Sequence, residues 1–79
     1  MRSDLRAEVG ARLRTMRKAA AFSQEGLAER AGLHRNYVGL VERGEQDIAL
    51  KSLVAILNAL NCSLADFFAP FTTVRSAKR

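Results

Sequence analysis

The feature that most constrains this chain is a glycine, Gly32, set between two short apolar patterns. Residues Ser23 to Gly44 read SQEGLAERAGLHRNYVGLVERG. Within them Leu27, Ala28, Ala31, Leu33, Val38 and Val41 recur at spacings that put apolar or small groups where two short helices cross. Gly32 falls at the turn between them, where a positive φ is wanted and glycine adopts it freely. Ala28 is small where the two helices must approach closely. Ser23, ahead of Gln24 and Glu25, reads as an N-cap whose hydroxyl accepts a free backbone N–H. The pattern predicts one helix over Gln24–Ala31 and a second from His34 or Arg35 to Glu42, ended by Gly44.

A pair of this kind is the unit that lays its second helix in the major groove of DNA. Helical hairpins with a glycine turn are common, so the outward face of the second helix carries the argument. That face shows His34, Arg35, Asn36, Tyr37, Leu40 and Arg43, a group suited to phosphates and base edges. The expected function is DNA binding. Gly26 and Gly39 each weaken their helices by roughly 0.5–1 kcal/mol relative to alanine. Gly39 lies on the expected DNA face, where a missing side chain lets a base pair or phosphate come close. The other reading of Gly39 is a glycine merely tolerated on an exposed surface.

Other classes are excluded by what is missing. With 79 residues there is room for one core, and a chain so short buries only a modest fraction of its surface. A hydrophobic content of 48% is enough to fold it, but a dimer partner would be useful. No apolar run approaches about 20 residues, and no signal peptide is visible. A cytoplasmic protein without a membrane span is expected. Cys62 stands alone, so there is no internal disulfide, and one cysteine with one histidine is too little for a metal site. There is no Ser/His/Asp set and no phosphate-cradling glycine loop, so no enzyme, cofactor or small-molecule ligand is expected.

Charge is uneven along the chain. Residues 1–22 hold six basic groups against two acidic ones, whereas residues 23–47 hold three against five. The remainder holds four basic groups against Asp66. The positive field therefore lies beside the motif and would attract phosphates without regard to sequence.

The rest of the chain reads as three more helices. Leu5, Val9, Leu13, Met16 and Ala20 form one apolar stripe on a helix from about Ser3 to Ala20, capped by Ser3 or Asp4. Arg6, Arg14 and Lys18 lie opposite, as a solvated face. Ala21 stands where a glycine stop is expected, and a positive φ there costs on the order of 1 kcal/mol. Phe22 should turn inward and staple the start of helix two. Glu45 to Ala49 is a loop. Helix four runs from about Leu50 to Leu60, with no capping side chain before it, and Asn61 closes it in the left-handed conformation. Ser63 and Asp66 make a capping-box match for a short helix five through Phe67 and Phe68, stopped by Pro70. The expected organisation is one all-α domain, residues 1–71, followed by a flexible basic tail, residues 72–79.

Helices four and five carry more apolar surface than one small core needs. Helix four has six large aliphatic residues in eleven positions, and Leu64, Phe67, Phe68 and Phe71 follow. An uncovered patch of that kind marks an interface. A two-fold homodimer through Leu57, Leu60, Leu64, Phe67 and Phe68 is expected. It would hold two recognition helices about 34 Å apart, facing successive major grooves of a palindromic operator.

From Arg12 to Phe68 the chain resembles the Cro and phage-repressor (XRE-like) helix-turn-helix domains, compact five-helix folds of the lambda-repressor type. The run SQEGLAERAGLHRNYVGLVERG followed by IALKSLVAILNALNCSLADFF is most similar to the controller proteins of restriction–modification systems, which are small stand-alone dimers. The resemblance implies a sequence-specific transcriptional regulator of double-stranded DNA, with RNA polymerase as a further candidate partner. A DNA-binding antitoxin, or a phage-type repressor working through a protein partner, is the alternative. Gln24 matches a glutamine that holds a phosphate with help from the helix dipole. Arg35 and Asn36 match base-reading positions, able to grip guanine and adenine respectively by two bonds each. Leu40 can touch a thymine methyl, while Tyr37, Arg43 and His34 fix the backbone register. Gln46 stands where relatives often carry a basic residue. Arg17 and Glu42 match a structural ion pair, for which a direct phosphate contact by Arg17 is the rival.

Overall fold

The computed structural model describes the backbone of residues 2–71 and the side chains from residue 5 onward. The expected tail, residues 72–79, lies outside the described residues, as do the side chains of Ser3 and Asp4, the candidate caps of the first helix. Five helices follow one another: α1 (Arg2–Ala19), α2 (Gln24–Ala31), α3 (Tyr37–Glu42), α4 (Leu50–Leu60) and α5 (Leu64–Phe68). Among the described residues none is long and apolar enough to cross a membrane. The fold is all-α, with α2 packed on α4 and α3, α1 on α3, and α5 on α4.

Local chemistry explains each stop and start. Ser23 Oγ accepts the Gly26 N–H at 2.9 Å and opens α2. Gly32, at φ 75°, closes it, and Leu33 N–H returns to the Ala28 carbonyl at 2.8 Å. Asn61 ends α4 at φ 57°, and Ser63 Oγ accepts the Asp66 N–H at 2.9 Å to begin α5. Ala21 does take the left-handed conformation, at φ 64°, costing roughly 1–2 kcal/mol for a residue with a Cβ. The Phe22 N–H, donating back to the Arg17 carbonyl at 3.1 Å, offsets part of that.

The N-terminus of α4 has a donor arrangement that the local sequence does not announce. Its N-cap, Ala49, offers no side-chain acceptor. Instead the Tyr37 hydroxyl, arriving from α3, accepts the Ala49 N–H at 3.1 Å.

Leu13, Leu27, Ala28, Val38, Val41, Leu53, Ile56, Leu57 and Phe67 form the core. Two expected interface residues are thereby corrected. Leu57 and Phe67 are buried within the protomer as members of that core, which leaves their side chains no surface to offer a partner. Phe22 is half-buried against the core, with the Arg30 guanidinium 6.0 Å from its ring centre.

The stripe on α1 is also narrower than expected. Leu13 is buried and Val9 and Met16 are partly so, but Leu5 and Ala20 at its ends are exposed. The helix is rotated so that Gly10, Leu13 and Arg17 face inward instead. Gly10 lies directly on the backbone of α3: a Cβ there would stand 2.8 Å from the Glu42 carbonyl oxygen and nearer still to that of Val41. Backbone cannot swing aside as a side chain can. Gly10→Ala is expected to destabilise the domain by about 1–3 kcal/mol, despite alanine's better helix propensity. Urea unfolding of the variant and its parent checks this, and equal midpoints would refute it.

Candidate nucleic-acid interface

The base of the site is a buried charge pair. Arg17 Nε donates to Glu42 Oε2 at 2.6 Å and Nη2 donates to Oε1 at 3.1 Å. The side chains are 8% and 1% exposed respectively. Arg17 Nη1 also donates to the Phe22 carbonyl at 2.7 Å, so the guanidinium joins α1, the α1–α2 turn and the end of α3. Glu42 has one further donor: Gln24 Nε2 lies 2.9 Å from Oε1. The first residue of α2 is thus fastened by its amide to the last residue of α3.

Above this base the sequence-predicted residues divide. Val38, Gly39 and Val41 of α3 are buried, while Leu40 is half-buried and Arg43 exposed. His34, Arg35 and Asn36 are exposed but precede α3, which begins at Tyr37 and not at His34 or Arg35. The cause is local. His34 Nδ1 accepts the Asn36 N–H at 3.1 Å, and its carbonyl accepts the Tyr37 N–H at 2.9 Å. These bonds hold a turn ahead of the helix and present Arg35 and Asn36 at its mouth. Since Nδ1 accepts, the proton of the neutral ring sits on Nε2.

The flanking charges are loosely held. Arg35 Nη2 stands 3.8 Å from Glu25 Oε2, and Arg43 Nε 3.3 Å from Glu45 Oε2. All four groups are more than half exposed, where such pairs contribute little. Both arginines can therefore turn to another anion. Gln46 is exposed, its amide donating to the Asp47 carbonyl at 3.2 Å. Arg6 lies on a solvated face, as expected, and from there reaches Asp47 through Nε at 2.8 Å and Nη2 at 3.3 Å. At the N-terminus of α2, the backbone N–H groups of Gln24 and Glu25 have no protein acceptor among the described residues.

Gly39 departs from its expected place. It does not lie open to solvent, because the side chains of Gln24 and Arg43 cover it. Arg12 was also not singled out from the sequence. Its Nε and Nη2 donate to the carbonyls of Phe67 and Asp66 at 2.8 and 2.7 Å, tying α1 to α5.

A family model described as helix-turn-helix (HTH_3) matches residues 13–67. The chain belongs to the helix-turn-helix family. The chain is 41% identical over 61 residues to the control protein C.SmaI of Serratia marcescens, covering 77% of this chain and 73% of that one. It is 31% identical over 80 residues to the control protein C.BamHI of Bacillus amyloliquefaciens, across 100% and 98% of the two chains. Among solved structures it resembles the restriction-modification controller protein C.AhdI of Aeromonas hydrophila. That match has a TM-score of 0.76 at 40% identity, over 80% of this chain and 96% of that one. This is a helix-turn-helix transcription regulator of the controller type, from a non-enzymatic family.

Proposed function

We propose that this regulator binds duplex DNA sequence-specifically, as a homodimer on a palindromic operator, and acts as the controller of a restriction–modification system. The observation that carries the reading is the division of residues 34–43. Val38 and Val41 close the core, while Arg35, Asn36 and Arg43 stand exposed beside an α2 N-terminus with free N–H groups. The likeness to controller proteins supports the genetic role, and a cytoplasmic location belongs to the same reading.

In this reading a phosphate is held by the Gln24 and Glu25 N–H groups and the positive end of α2. The Gln24 amide, with one hydrogen given to Glu42, has its second for the same phosphate. Tyr37 accepts from Ala49 and so keeps its own O–H to donate, and His34 keeps its Nε2–H. Arg43 and Gln46 extend the backbone contacts along the strand. Arg35 and Asn36 enter the groove first and read base edges, and Leu40 meets a thymine methyl. The dimer face is the remainder of the expected patch: Leu60, Leu64 and Phe68, with Leu64 43% and Phe68 38% exposed.

An operator selected from a pool of random duplexes provides the test. Arg35→Ala should cost about 1–3 kcal/mol at that operator and relax discrimination at the base it reads. Equal losses on operator and random DNA would reduce Arg35 to a phosphate holder.

A further inference from the structure

The covering of Gly39 carries a consequence for phosphate binding. A Cβ at this position would stand 3.0 Å from Gln24 Oε1, 3.4 Å from Gln24 Cδ and 3.0 Å from Arg43 Nη1. Arg43 is exposed and can swing clear. Gln24 cannot move so easily, because its Nε2 is bonded to Glu42 Oε1 at 2.9 Å, and Glu42 is itself fixed by Arg17 and 1% exposed. The amide of Gln24 is therefore held between the carboxylate of Glu42 and the bare backbone of α3. Its orientation depends on that backbone having no side chain.

We infer that Gly39 is a positioning residue: the slot left by its missing side chain seats the Gln24 amide, so that its second N–H is aimed at a DNA phosphate. This rests on the DNA-binding reading above and gives Gly39 a role different from direct approach to DNA. Glycine is unfavourable inside a helix, and here it sits in the third position of the six-residue α3. A side chain added at this point displaces Gln24 from Glu42 or turns its donor away from the phosphate. Phosphate contacts carry no sequence information, so the effect falls equally on every DNA sequence.

Gly39→Ala and Gln24→Ala, singly and together, test this on a duplex of random sequence across a range of salt concentrations. Gly39→Ala should keep the thermal midpoint close to that of the parent while weakening binding about tenfold. The slope of log affinity against log salt should stay close to the parent's, because the neutral Gln24 amide displaces no counterion from the phosphate it holds. In the double variant the two losses should not add, because both act through one amide. Additive losses would show that the methyl group added by Gly39→Ala obstructs DNA directly, and would overturn the inference while leaving DNA binding intact. Undiminished binding by Gly39→Ala would overturn it equally. A parent that binds no duplex at any salt would instead remove the DNA-binding reading, and this inference with it.

Discussion

Arg17→Ala should lower the stability of the free protein by about 3–5 kcal/mol, the usual cost of leaving a buried charge without its partner. The domain's whole stability is on the order of 4–12 kcal/mol for a chain of this length, so the loss is a large share of it and should show as a clear drop in melting temperature. The loss arises at Glu42. Its carboxylate is 1% exposed and receives two of its three side-chain hydrogen bonds from Arg17, and Gln24 alone cannot replace a guanidinium. Arg17→Lys should rescue only part, since an ammonium supplies one point of charge where the fork makes two parallel bonds. Replacing both partners with apolar residues of similar volume should recover more than either single change. Urea unfolding without DNA measures each variant against the parent. An unchanged midpoint for Arg17→Ala, with weaker DNA binding, would make Arg17 a phosphate ligand and not a structural anchor.

A comparable effect is expected for the proposed dimer. Leu64→Glu with Phe68→Glu should give a folded monomer whose operator affinity falls by about 10²–10⁴-fold, the gain ordinarily supplied by linking two binding events. Both side chains are exposed in the protomer, so the fold should survive. Phe68 does meet the rings of Phe67 and Phe71 edge-on, at centroid distances of 4.9 and 5.2 Å, so a modest drop in melting temperature is expected. Sedimentation separates the two effects. If the parent is monomeric at roughly 50 μM, where a dimer with Kd near 1 μM would be largely associated, the interface is misplaced.

The legible parts of this fold were those with a local cause. Gly32, Asn61, Ser23 and Ser63 each act within a few residues of themselves, and α2 begins and ends, α4 ends and α5 begins where these signals put them. Ala21 was readable for the same reason, as a helix stop without a glycine. Periodicity was less exact, because it reports that a face is buried without naming what it meets. On α1 it favoured Leu5 and passed over Gly10, whose significance depends on the Val41 and Glu42 backbone, some thirty residues away. On α4 and α5 it marked Leu57 and Phe67 as apolar but could not say which of two surfaces would claim them. Tyr37 at the head of α4 and Arg12 at the end of α5 left no trace in composition. A single long polar side chain reaching a backbone group elsewhere has no period. The start of α3 moved to Tyr37 because His34 and Asn36 bond to each other, a competition that helix propensity does not weigh.

The reach of Arg12 bears on how the two halves of an operator are measured. A helix of five residues, such as α5, has too few internal bonds to hold its own direction. Its carbonyls at Asp66 and Phe67 are gripped by Arg12, two positions from Gly10, where α1 lies flush on α3. The same rigid rod therefore touches the reading helix at one point and the pairing helix at the next. In the proposed dimer α1 works as a ruler. It fixes the distance from bases to two-fold axis, and leaves the protein little means of following half-sites set closer together or further apart.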